Sequence, residues 1–109
     1  MKNLKEIAIR AFKEGSDNYG ENVKGVSDTL TYHPHKEGTI YFGSPNEQTH
    51  KKYSITVLLE EPSGHPCTSG IGFYIKDNVI SVCSGHIVFD VELTPEIQAE
   101  LDTAIEATF

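Results

Sequence analysis

The chain has no apolar run approaching a membrane span, only two cysteines, and no lysine or arginine over residues 90–109. A bilayer-crossing helix needs about 18 or more consecutive apolar residues, so none is expected here. Two cysteines in 109 residues do not make a disulfide framework. The start, MKNLKEIAIRAF, is charged and amphipathic and lacks the uninterrupted apolar stretch of a secretory signal. The expectation is a cytoplasmic protein in which Cys67 and Cys83 are reduced thiols.

The bases missing near the C-terminus set the charge balance. The net charge is −7, and Asp90, Glu92, Glu96, Glu100, Asp102 and Glu106 stand with no base among them. Over residues 1–13, Lys2, Lys5, Arg10 and Lys13 stand against Glu6 alone. A chain so balanced repels phosphate backbones, and no basic patch interleaved with aromatics is present, which excludes direct nucleic-acid binding.

What is present reads as one domain over residues 1–109, long enough to bury a modest core. Leu4, Ile7, Ala8, Ala11 and Phe12 share one helical face. Asn3 and Glu6 have capping-box spacing, and Gly15 suits a left-handed end. The turn-forming stretch GSDNYGENVKG then predicts a surface loop.

Short β-type runs follow. TLTYH and TIYFG flank PHKE as a predicted hairpin, and Tyr53, Ile55, Val57 and Leu59 alternate on one face. IGFYIK, VISVC and HIVFDVEL read as three strands joined by two-residue turns at Asp77-Asn78 and Ser84-Gly85. The first turn pairs Ile75 with Ile80 and Phe73 with Val82. The second pairs Val82 with Ile87 and Ile80 with Phe89. Both registers put Phe73, Ile75, Ile80, Val82, Ile87, Phe89 and Val91 on one face, and a one-residue slip would scatter them.

Thr94 is a suitable N-cap for a last helix, with Pro95 at its first position and Glu96 near the positive dipole end. Ile97, Leu101, Ala104, Ile105 and Phe109 form its apolar stripe. The expected architecture is α+β: a two-layer domain with a mostly antiparallel meander of about six strands and both terminal helices on one face.

Three chemistries are candidates. His65, Cys67, Cys83 and His86 offer two imidazoles and two thiolates, a set that zinc accepts, although their spacing is not that of a familiar finger. With Cys83 and His86 flanking a two-residue turn, the same pole of the sheet would also collect His33 and His35. Cys83 beside His86, or Cys67 beside His65, could instead be an activated thiol, without an evident group to orient the histidine. The glycine-rich SGHPCTSGIG could cradle a nucleotide-like ligand, but it leads into a strand rather than a helix.

The plainer reading is a packed thiol and ordinary loops, with the chemistry elsewhere. Glu96, Glu100, Asp102 and Glu106 lie on one side of the last helix, an acidic surface suited to a basic partner, unless the basic first helix neutralises it. The expected function is a non-enzymatic binding protein, an inhibitor or accessory factor, docking on the basic surface of another macromolecule, with no cofactor. Tyr74, Val79 and Val88 on the open sheet face are compatible with a homodimer.

Overall fold

The structure, a computed structural model, describes residues 2–15, 23–34, 50–60 and 66–108. Helices α1 (Lys2–Gly15) and α2 (Pro95–Thr108) bracket five strands: β1 (Val23–His33), β2 (Lys51–Glu60), β3 (Pro66–Lys76), β4 (Val79–Cys83) and β5 (Ile87–Glu92). These form one antiparallel sheet in the order β1-β2-β3-β4-β5. The α+β class, the meander and the two terminal helices agree with the sequence reading. Among the described residues the strands number five, not about six. β1 pairs directly with β2, placing Tyr32 opposite Tyr53 and Thr31 opposite Ser54, so no strand from 39–43 stands between them. Residues 39–43 themselves lie outside the described residues.

One face of the sheet carries the core. Tyr53, Ile55, Val57 and Leu59 of β2, Ile71 and Phe73 of β3, and Ile80 and Val82 of β4 are all buried. Over them lie Leu4, Ala8, Ala11 and Phe12 of α1 and Ile97, Leu101 and Ala104 of α2. Each large apolar side chain so covered contributes about 1.5–3 kcal/mol of transfer free energy, which outweighs any single cap or surface pair. α1 touches all five strands and so lies across the sheet. α2 starts beyond β5 at one edge yet packs against β1 at the other. A five-stranded sheet is about 19 Å wide and a 14-residue helix about 21 Å long, so one helix suffices for the crossing.

The helix ends differ from one another. Thr94 caps α2 as expected: its Oγ1 accepts from Ile97 N–H at 3.3 Å, and its carbonyl accepts from Gln98 N–H at 2.9 Å. α1 begins at Lys2, which places Asn3 inside the first turn, and that turn holds no acidic residue. Its cap comes from the other helix, because Leu4 N–H donates to Glu100 Oε1 at 3.1 Å. The carboxylate meets both an orphan backbone donor and the positive end of the α1 dipole. Gly15 is helical rather than left-handed. Its value is its smallness: a Cβ there would stand 3.1 Å from both Ser84 Cβ and Val88 Cγ2.

The two hairpin turns also part company. Asp77 and Asn78 have φ of 52° and 65°, the pair of positive values that a two-residue type I′ turn needs. The predicted pairs Ile75–Ile80 and Phe73–Val82 follow, and Leu93 N–H donates to the Asn78 carbonyl at 2.9 Å. The second turn is longer than predicted. Cys83 pairs with Ile87 and Val82 with Phe89, leaving a loop over 84–86, with Gly85 at φ 79°, and an extra residue in β5. Phe89 and Val91 stay on the core face because they pair with Val82 and Ile80. Ile87 is turned off it and is 47% exposed, while Val88, expected on the open face, packs toward Gly15 on the helix side. A bulge of this kind exchanges the faces of neighbouring residues without disturbing the rest of the strand.

β1 and β3 begin earlier than their composition suggests. Val23–Gly25 and Pro66–Gly70 read as loop, yet they form rungs opposite Leu58, Leu59 and residues 56–60 of β2. The long apolar β2 supplies a ladder that overrides local turn propensity, and Thr68 and Gly70 face away from the core, where no apolar side chain is needed.

Two stability tests follow from this geometry. Asn78→Val is expected to cost about 1–2 kcal/mol, because a β-branched residue is strained at positive φ, whereas Asn78→Gly is expected to be neutral or better. Glu100→Ala, which uncaps α1, is expected to cost about 1 kcal/mol. Urea unfolding of each variant, with an unchanged m-value, would measure both.

Candidate functional site

Cys83 and His86 do not form the directly opposed cross-strand pair that their spacing suggests. Cys83 lies on the sheet face away from the helices, opposite Gly72 on one side and Ile87 on the other. His86 stands in the 84–86 loop and is exposed, so the two are not a cross-strand pair. The Cys83 thiol is pushed above its ordinary value by burial and then by the Asp90 carboxylate, against the pull of Lys52. A thiol so placed keeps its proton, the reverse of what a nucleophile requires.

His65 and the side chain of Cys67 lie outside the described residues. The backbone of Cys67 pairs with Leu59, while Cys83 pairs with Gly72. These β3 positions are five residues apart, about 16 Å along a strand. Among the described residues no group of three or more His, Cys, Asp or Glu is arranged to hold a metal ion. His35 is outside the described residues. His33, expected at the same pole as Cys83, lies instead at the end of the sheet that holds Lys51 and His50, and its Nε2 meets Ser54 Oγ at 2.6 Å. The direct pairing of β1 with β2 explains this, since it sets the end of β1 beside the start of β2.

The open sheet face is mixed in character. The Tyr74 ring lies over Gly72, where a Cβ would stand 3.0 Å from Tyr74 Cε2. The Lys52 ammonium is 5.6 Å from the Tyr74 centroid, and the His50 ring meets it edge-on at 6.4 Å. The exposed apolar residues Leu58, Val79 and Ile87 stand on three separate strands and make no single patch.

On α2, Glu96 and Asp102 are exposed, and Gln98 Nε2 donates to Asp102 Oδ1 at 2.8 Å. Glu100 is half-buried in its contact with Leu4. The side chain of Glu106 lies outside the described residues. The basic α1 meets the acidic elements at only a few points, one of them the ion pair of Lys5 with Asp28 on β1. That hydrogen bond, together with the ammonium charge, holds the Asp28 carboxyl below its usual value.

Two cavities flank α2. A groove of about 520 Å³ runs between β1 and the helix, with Asp28 and Glu100 on its walls and Leu30, Ala99 and Ala104 along it. On the other side, an open cleft of about 500 Å³ is bounded by the end of the sheet and the 77–78 turn, with Lys51, Tyr53, Ile75, Lys76, Gln98 and Leu101 among its lining residues. Burial, then Tyr32 and Asp102, push the Tyr53 phenol up to about 12. The Tyr32 ring is 5.1 Å away. Sequence reasoning missed this second cavity. Its one signal is Lys51, which heads the alternating series 53-55-57-59 and therefore belongs to the apolar face.

Comparison with protein-family models, curated proteins and solved structures yields no match to this chain.

The thiol chemistry can be checked directly. Alkylation of Cys83 by iodoacetamide, followed by peptide mass mapping to separate it from Cys67, is expected to run slower at pH 8 than for an unstructured cysteine. The rate should still be rising with pH where the unstructured thiol has levelled off, because a raised pKa lowers the thiolate fraction at every pH below it.

Proposed function

We propose that the chain is a non-enzymatic binding protein, an inhibitor or accessory factor, that docks on the basic surface of another protein through the acid-bearing side of α2. The supporting observation is that Glu96 and Asp102 are exposed on a helix without a single base. Lys5 of α1 is engaged by Asp28, and Glu96 and Asp102 are exposed. A field of one sign at a contact surface accelerates encounter and makes it sensitive to salt. The same reading assigns the protein to the cytoplasm, in keeping with the free Cys83 thiol.

The test is the double variant Glu96→Lys/Asp102→Lys, which leaves the Glu100 cap in place. Against the physiological partner, the association rate is expected to fall by about tenfold or more at low ionic strength and to lose most of its dependence on salt. Unchanged association kinetics for a folded double variant would rule this surface out.

A further inference from the structure

The sheet face away from the helices carries its charge in an ordered row. Cross-strand pairing sets His33, Lys52, Tyr74, Ser81 and Asp90 side by side in turn, so the row crosses from β1 to β5. Its basic end is His33 and Lys52, its centre is Tyr74, and its acidic end is Asp90. Alternation puts this row on the open face, because the adjacent Tyr53, Phe73, Ile80 and Val82 are buried under the helices. Asp90 is exposed, and Lys52, Tyr74 and Ser81 are half-buried. The next row, Thr31, Ser54, Gly72 and Cys83, holds no charged group. The exposed apolar side chains of Leu58, Val79 and Ile87 belong to the same face.

A row with opposite charges at its ends and a ring midway is complementary to itself. Turned over about an axis along β3, a second copy sets its Asp90 against His33 and Lys52, and its Tyr74 against Tyr74. That is the isologous arrangement of a two-fold dimer, in which each off-axis contact occurs twice. The centre of the face is low enough to allow it. Gly72 has no side chain, and the Tyr74 ring lies over it, with Cε2 3.0 Å from where a Cβ would stand. Sheets packed face to face stand about 10 Å apart, a gap that side chains fill from both sides. The face is about 19 Å wide and its strands average about 28 Å in length. Two copies therefore cover about 1,000 Å² together, close to the least that a specific interface needs. Lys76 comes near the axis at the end of the sheet, but it is exposed there and its long stem reaches solvent, so the like charge costs little.

We propose that the chain forms a homodimer through these open sheet faces, with its register set by Lys52 of one copy against Asp90 of the other. The helices lie on the outside of this dimer. The α2 surface proposed above stays free, and the two proposals stand or fall separately.

The experiment is sedimentation velocity of the full chain from about 5 to about 500 µM. Monomer is expected to give way to dimer with a Kd on the order of 10 µM or tighter. Lys52→Asp and Asp90→Lys should each weaken the dimer by about tenfold or more, because each places like charges together twice. Lys52→Gln, which removes the charge without reversing it, should weaken it less. Mixed in equal amounts, the two charge-reversed variants should recover a one-to-one heterodimer, since one copy then brings two acids and the other two bases to the same pair of contacts. Circular dichroism checks that each variant is folded. A parent chain that stays monomeric throughout this range would overturn the proposal. So would a dimer indifferent to both charge reversals, or two folded variants that fail to recover a dimer on mixing.

Discussion

The burial of a single sheet face governs this molecule. β2 contributes Tyr53, Ile55, Val57 and Leu59 to that face, β3 and β4 extend it, and among the described residues no second sheet covers it. Two helices must therefore do so, one from each end of the described chain. α1 reaches every strand. α2 leaves the β5 edge, crosses to β1 and supplies the Glu100 carboxylate that receives the first turn of α1. The helix ends and the sheet edges are thus closed by the same crossing, which couples the cap of one helix to the packing of the other.

Close approach of α1 to the sheet has a local consequence at its C-terminal end. Gly15 allows Ser84 and Val88 to pack against the helix backbone, and the bulge in β5 turns Val88 toward that contact. The exchange leaves Ile87 on the open face beside Cys83 and lifts His86 out of the ladder. A feature that began as a packing solution thereby separates two residues whose spacing suggested chemistry. Burial and the nearby Asp90 carboxylate then hold the Cys83 thiol protonated.

α2 also separates two clefts, the Asp28–Glu100 groove beside β1 and the one at the strand ends near Lys51, and its own charged side chains are all acidic. Arg10, by contrast, spends its charge locally, over the Phe89 ring at 4.1 Å and against Glu14 at 3.3 Å. Interactions of that kind are modest at an exposed site and leave the larger field of α2 intact.

By itself the sequence determined the α+β class, the apolar face of β2, the type I′ turn at Asp77-Asn78 and the Thr94 cap, because each is encoded by residues within a few positions of one another. The register of the first hairpin was legible for the same reason: two central residues able to take positive φ leave one pairing that keeps Phe73 and Val82 together. Tertiary structure alone decided the rest. The β5 bulge depends on contact with Gly15, more than 65 residues away in sequence. The early starts of β1 and β3 depend on the ladder that β2 offers. Glu100 reads as one acid among several until Leu4 is found beside it. Local propensity determines what a segment can become; which groups share a surface is settled only when distant segments compete to cover the same apolar face.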